Sequence, residues 1–181
     1  SYWDETPDRD LIARHEREIF PLLRMRRLFS EVENFYLFDY MQDDGTIDEN
    51  VFAYCNGQGE RRVLVFYNNH WERTLGRIHT SCAFARKTAD GKKQLKTTSL
   101  ANALKIDSSP KNYVIMHEIR SGLWYIFRSE DIASRGFKLA LEGYQNKVFI
   151  DIMNVHDTEG RYTKLFEIVD SRGITDLDDA L

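Results

Sequence analysis

The stretch that decides the fold is residues 51–67, VFAYCNGQGERRVLVFY, in which two runs of apolar, β-branched and aromatic residues flank a turn with two glycines. Residues 51–55 and 62–67 each have the composition typical of strands, and the glycines supply the backbone freedom that a tight turn needs. Residues 63–67 are apolar at every position, which predicts a strand covered on both faces. The segment therefore predicts a hairpin that includes a central strand.

The period-two pattern continues outward from this hairpin and predicts eight strands in all. The other six predicted strands are residues 35–41, 75–83, 113–119, 123–127, 137–141 and 148–153. Turn residues separate them, including Asp43-Asp44-Gly45, Asp90-Gly91 and Ser121-Gly122. Because no long helix intervenes, the sequence predicts a mainly β chain folded as an antiparallel β-sandwich, with an open barrel as the alternative.

Helical patterns are confined to the two ends of the chain. Thr6 as N-cap and Pro7 at the first helical position predict a helix start, and Pro21 ends or kinks that helix before a second short run at residues 22–29. Apolar residues and one histidine recur at helical spacing in the first run: Leu11, Ile12, His15 and Ile19. Such a stripe predicts burial against the β body or a partner.

The C-terminal end carries a second helical pattern. Tyr162, Leu165, Phe166 and Val169 lie at helical spacing, Gly173 is the expected stop, and Thr175 with Asp178 predicts a last, short capped turn. The predicted organisation is a helical segment at residues 1–31, a β-sandwich at 32–155 and a helical tail packed on the sandwich at 156–181.

Composition excludes several classes of protein. The 181 residues are 42% hydrophobic with only 10 Gly and 3 Pro, which predicts one globular domain with or without an appendage. With 25 Lys and Arg against 29 Asp and Glu, the net charge is −4, so no nucleic acid or anionic membrane is expected as a partner. No long apolar run and no leader pattern at residues 1–9 are present, so the expected location is the cytoplasm.

Candidate catalytic and metal-binding residues lack the spacing that such sites need. The five histidines form no HExxH or clustered Cys/His pattern, and the acidic residues 43–50 lack the ligand spacing of an EF-hand and predict a hairpin turn. Cys55 and Cys82 are predicted to be reduced, small hydrophobes in strands. No catalytic residue, metal site or cofactor is predicted.

Aromatic side chains are the remaining candidates for binding, because their flat apolar faces can stack on sugar rings. Five lie on predicted strands or strand edges: Tyr36, Tyr40, Tyr67, Trp71 and Trp124. Core packing is expected for most of them. Sugar binding by the isolated domain is expected to be weak or absent. Trp71 is the candidate carbohydrate-binding residue, since its neighbours Asn68, Asn69, His70 and Glu72 could hydrogen-bond sugar hydroxyls.

Several segments resemble the C-terminal region of α-amylase superfamily glycoside hydrolases. Residues 22–29, LLRMRRLF, resemble the last helix of the catalytic barrel with its L-x-x-x-R-R pattern. The following segments resemble strands of the all-β domain that comes next in that family: residues 33–40, residues 51–56 (VFAYCN), residues 62–69 ending in Asn, and residues 139–152. Residues 80–134 are longer than a minimal domain of this kind requires.

The resemblance implies a non-catalytic C-terminal β-sandwich that stabilises a catalytic (β/α)₈ barrel in α-glucan metabolism. The catalytic Asp, Glu and Asp of the family would lie upstream of Ser1, so no catalytic residue is carried over to this chain. The implied partner is that upstream barrel of the same polypeptide, with α-glucan as a further ligand. Two alternatives remain open: a carbohydrate-binding module, and an unrelated β-sandwich that binds other proteins.

Overall fold

A computed structural model describes residues 35–58, 61–169 and 172–181 of the chain. The helical segment predicted for residues 1–31 lies outside the described residues. The prediction of a mainly β, antiparallel fold is confirmed. The strands are β1 (Phe35–Phe38), β2 (Val51–Gln58), β3 (Arg61–Asn68), β4 (Thr74–Ile78), β5 (Phe84–Lys87), β6 (Lys93–Lys96), β7 (Asn112–Glu118), β8 (Leu123–Arg128), β9 (Phe137–Leu141) and β10 (Asn146–His156). The helices are α1 (Leu100–Ala103), α2 (Ser129–Arg135), α3 (Arg161–Val169) and α4 (Leu177–Ala180).

Six strands form the main sheet in the order β1-β2-β3-β10-β7-β8, and every neighbouring pair is antiparallel. The hairpin predicted from residues 51–67 is β2 and β3, with Tyr54 opposite Val65. β3 lies inside the sheet and is buried at every position from Arg62 to Asn68. The continuous apolar run therefore marks a strand covered on both faces, as predicted.

A two-stranded ribbon of β4 and β9 packs on one face of the main sheet, which we call the ribbon face. Tyr40 is fully buried there and its hydroxyl donates to the Leu139 carbonyl at 2.5 Å. Gly76 leaves room for this ring, because a Cβ at that position would lie 2.4 Å from Tyr40 Cε1. Main sheet, ribbon, α1 and α2 enclose one core, whose largest fully buried members include Phe38, Leu64, Phe66, Ile78 and Leu100.

The opposite face of the main sheet carries two further apolar clusters. Over β7 and β8, Leu165 and Val169 of α3 cover Tyr113, Ile115 and Ile126. Over β1, β2, β3 and β10, nine buried residues form a second cluster: Phe35, Leu37, Phe52, Tyr54, Val63, Val65, Tyr67, Val148 and Ile150. Within the described chain, the further hydrophobic neighbours of this second cluster are Cys82 and Ile119.

The C-terminal tail follows the predicted pattern with two corrections. The helix predicted at residues 162–169 is α3 and is confirmed. The final helix α4 is present, but the cap assigned to Thr175 is wrong: the Asp176 carboxylate accepts from the backbone N–H of Asp179 at 3.1 Å. Gly173 lies beyond α3, where a Cβ would come within 2.7 Å of Leu123 Cδ1. β10 reaches His156, one residue into the segment assigned to the tail.

Four short elements were not expected from the sequence, namely β5, β6, α1 and α2. Every residue of β6 is exposed, so this hairpin has no apolar alternation to detect. α1 spans four residues behind its N-cap Ser99. The predicted strand at residues 75–83 is too long, since β4 ends at Ile78. None of the described helices is long and apolar enough to span a membrane.

Candidate functional site

Two corner loops lie side by side where the chain passes between the main sheet and the ribbon. Residues 69–73 connect β3 to β4, and residues 142–145 connect β9 to β10. Trp71 on the first loop is 68% exposed and Tyr144 on the second is 60% exposed. Among the described residues, they are the only large aromatic side chains that are exposed. We call these two loops the aromatic corner.

The Asn68 side chain, at the end of β3, forms hydrogen bonds to both loops. This fully buried side chain donates from Nδ2 to the Glu72 carbonyl at 2.8 Å and to the Glu142 carbonyl at 3.0 Å. Its backbone N–H donates to the Gln145 carbonyl at 2.9 Å. One asparagine at the end of β3 therefore supplies a hydrogen bond to each loop and fixes their separation.

Direct contacts between the loops add to this frame. The Tyr144 backbone N–H donates to the His70 carbonyl at 2.9 Å. A Cβ at Gly143 would lie 2.1 Å from the Trp71 carbonyl oxygen, so the two backbones approach closely only because residue 143 is glycine. Arg73 Nε also lies 3.2 Å from Glu142 Oε1 in an exposed ion pair. Hydrogen bonds, a close backbone approach and an ion pair therefore hold the two loops of the aromatic corner together.

The two exposed rings have defined surroundings. The Trp71 ring stacks on His70 with centroids 5.6 Å apart and an interplanar angle of 26°. Tyr144 has a positive φ of 55°, a conformation uncommon for residues other than glycine. The pKa of Tyr67 is raised above its usual value, mainly by burial and secondarily by Tyr144.

The other four aromatic candidates from the sequence do not join Trp71. Tyr40 and Tyr67 are buried, and half-buried Tyr36 packs edge-on against Phe84 with centroids 5.2 Å apart. Trp124 stacks on His117 at 4.2 Å. Core packing was expected for most of these residues; it is confirmed for Tyr40 and Tyr67, whereas Tyr36 and Trp124 are half-buried and pack against the edges of two clusters.

Sequence reasoning missed Tyr144, the second exposed ring. Its signal is an aromatic residue directly after Glu142-Gly143, in a turn sequence between two strands. Only the placement of that turn beside residues 69–73 makes it relevant, because 73 positions of sequence separate Trp71 from Tyr144.

A separate cleft of about 380 Å³ opens between the main sheet and the ribbon, next to α2. Aromatic residues form much of its wall: Tyr125, Phe127, Phe137, Phe149 and Phe166. Among the described residues that line it, five are basic, namely Arg77, Arg128, Arg135, Lys138 and Lys147, and one is a carboxylate, Asp131. Glycoside hydrolysis generally uses two carboxylates across the scissile bond.

The titratable groups outside these two places serve local structure. The buried Glu118 carboxylate accepts from the backbone N–H groups of Arg120 at 3.0 Å, Ser121 at 2.8 Å and Val148 at 3.0 Å. His117 Nδ1 lies 3.9 Å from Asp151 Oδ2. Across residues 35–58, 61–169 and 172–181, no group of three His, Cys, Asp or Glu side chains is arranged to hold a metal ion.

The cysteines and the acidic turn also have structural surroundings. Cys55 lies in β2 as predicted, and burial raises the pKa of its thiol to about 12 despite the opposing effect of Arg62. Cys82 was also predicted in a strand, which is wrong: it follows β4, and its thiol donates to Asp39 Oδ1 at 3.3 Å. Asp44 accepts from the Thr46 backbone at 2.9 Å and the Thr46 hydroxyl at 2.6 Å, as in a solvated turn.

Comparison of this chain with protein-family models, curated proteins and solved structures found no match. The candidate site therefore rests on its geometry.

Proposed function

We propose that this chain is the non-catalytic C-terminal β-sandwich of an α-amylase-like glycoside hydrolase, and that it stabilises the catalytic (β/α)₈ barrel in α-glucan metabolism. The observation that carries the proposal is the mainly β, antiparallel architecture, in which β1, β2, β3 and β10 lie side by side and overlap the segments that resemble strands of the family's C-terminal domain. The nine-residue cluster over these strands is buried, each residue at 9% exposed or less, as the core of a stabilising domain requires.

The connection along the chain supports the same arrangement. β1 contributes Phe35 and Leu37 to the cluster, and five residues, 30–34, separate it from residues 22–29, the barrel-like helix pattern. This order along the chain is the one that the resemblance implies, with the last barrel helix followed by the first strand of the β domain.

The positions of the carboxylates favour a stabilising function over a catalytic one. The cleft beside α2 has one carboxylate, Asp131, and the buried Glu118 is occupied by three backbone donors. Neither place offers the pair that hydrolysis needs. We expect the isolated chain to release no reducing sugar from starch. Release by pure protein that is abolished by replacing one carboxylate would contradict the proposal.

The decisive experiment starts from the coding sequence upstream of Ser1. The proposal expects a (β/α)₈ barrel with two catalytic Asp and one Glu in the same reading frame. The full polypeptide is then compared with a version that ends before residue 35, and the shorter version should unfold at lower temperature. A different upstream sequence, or a barrel whose melting is unchanged, would contradict the proposal and favour a separate protein-binding module.

A further inference from the structure

We propose that Trp71 and Tyr144 form a binding surface for a neutral oligosaccharide, a function that goes beyond stabilising the barrel. The surface itself follows from the aromatic corner. Only the choice of an α-1,4-linked glucan as its ligand rests on the proposed function.

The exposure of the two rings points to a ligand. Large aromatic side chains are normally buried because they carry much apolar surface, and the rest of the described chain follows that rule. Trp71 and Tyr144 depart from it together, on neighbouring loops. The Trp71 ring stacks on His70, so its other face and the exposed Tyr144 ring are the aromatic surfaces that a ligand can reach.

The rigidity of the corner favours binding. Asn68 holds both loops through Nδ2, and the Tyr144 backbone N–H bonds to the His70 carbonyl. A ligand therefore meets rings whose backbone is already ordered, and little conformational entropy is lost on association.

The charges and polar groups of the corner favour a neutral polyhydroxyl ligand over an anion. Arg73 is paired with Glu142, which leaves the Glu72 carboxylate as the excess charge of the two loops. A negative rim disfavours phosphorylated or carboxylated ligands. The Asn69 side-chain amide makes no hydrogen bond to any described residue, and it can both donate to and accept from sugar hydroxyls. Pyranose rings match this combination of flat apolar faces and neutral hydroxyls.

The test uses affinity electrophoresis of the 181-residue chain in gels with and without amylopectin, because migration does not depend on tryptophan fluorescence. Trp71→Ala and Tyr144→Ala should each weaken retardation at least tenfold. Leu95→Ala is the matched control, since Leu95 is 73% exposed on β6, away from the corner. Circular dichroism checks that each variant is folded. Equal retardation of all four proteins would overturn α-glucan binding at the aromatic corner.

A ligand panel separates this proposal from the proposed function. Titration with maltoheptaose, cellohexaose and chitohexaose is followed by NMR of the backbone amides, up to ~10 mM ligand for the weak affinity expected of a small exposed surface. Shifts at residues 69–73 and 142–145 with maltoheptaose support both ideas. Shifts there with another oligosaccharide alone support the surface and count against α-glucan. No shift with any of the three overturns the surface and leaves the barrel proposal standing.

Discussion

The two faces of the main sheet differ in how they are covered. On the ribbon face, β4, β9, α1 and α2 close the core, and the fully buried Phe66 meets Phe137 of the ribbon directly. On the opposite face, α3 covers the β7 and β8 half, whereas the β1, β2, β3 and β10 half has only Cys82 and Ile119 as further described hydrophobic neighbours. The ribbon-face core is closed by strands and helices of the described chain, and the nine-residue cluster on the opposite face is also buried, each residue at 9% exposed or less.

The largest effect is expected on the ribbon face. Phe66→Ala should lower the free energy of unfolding by about 3–5 kcal/mol, because it leaves a cavity between Phe137 at 5.8 Å and Phe149 at 6.0 Å. Urea denaturation followed by circular dichroism measures the loss. Phe84→Ala, at a half-buried position on β5, is the control and should cost roughly 1 kcal/mol or less. Similar losses in both variants would mean that this core is not the main source of stability.

The next largest effect is expected at Leu23, on the apolar side of the N-terminal helical pattern. Leu23 lies outside the described residues, but the sequence places it on the apolar side of residues 11–29. Leu23→Asp should therefore lower the free energy of unfolding by roughly 2–4 kcal/mol, as expected for a charge introduced into a buried surface. Arg24→Ala, on the polar side of the same pattern, is the control. If the melting temperature of Leu23→Asp equals that of the wild type, the apolar side does not cover the sheet.

A smaller effect is expected at α3, the described cover of the other half. The Asp157 carboxylate accepts from the Thr163 backbone at 2.9 Å, the Thr163 hydroxyl at 2.6 Å and the Tyr162 backbone at 3.3 Å. Asp157→Asn should cost about 1 kcal/mol, because the amide keeps one acceptor oxygen and cannot accept from both Tyr162 and Thr163 as the two carboxylate oxygens do. Glu159→Gln, an exposed neighbour, should change little.

The same variant has a distinct pH dependence. Burial alone would raise the pKa of Asp157, but hydrogen bonds from Thr163 and Tyr162 outweigh burial and hold it below the usual range. Because the folded pKa is lower than the unfolded one, this stabilisation is present above about pH 4 and is lost as the pH falls through the folded value. The stability difference between wild type and Asp157→Asn should therefore shrink in acid. A difference that grows on acidification would contradict the capping role.

The smallest expected effect is a difference in labelling rate between two thiols, one from each face of the main sheet. Cys55 belongs to the ribbon-face core and its pKa is raised to about 12 by burial, so almost none of it is thiolate at neutral pH. Cys82 packs beside the opposite cluster and is only partly buried. Iodoacetamide labelling read by mass spectrometry should modify Cys82 first, and a Cys82→Ser variant should label only on unfolding. Equal rates in the native protein would show that the ribbon face opens readily.

The sequence pattern predicted most strands because the burial of a strand's two faces is visible in a few consecutive residues. The alternation at Phe137, Leu139 and Leu141, and the continuous run at residues 63–67, report how many faces of each strand are buried. The hairpin of β5 and β6 was not predicted, because exposed strands show no alternation of apolar and polar residues. The helix capped by Ser99 was not predicted either, because four residues are too few to show an apolar face at helical spacing. The misplaced cap at Thr175 was an error of one residue, because neighbouring polar side chains compete for the same role.

The sequence by itself determined the mainly β class, the central hairpin, the C-terminal helix and Trp71 as the aromatic residue with polar neighbours, because each depends on residues close together in the chain. Only the tertiary structure decided which strand neighbours which, that β10 inserts between β3 and β7, and that Tyr144 stands beside Trp71. These choices depend on contacts between distant residues, such as Asn68 with the Glu142 carbonyl. Periodicity records whether a side chain is buried, but it does not record which distant residue buries it.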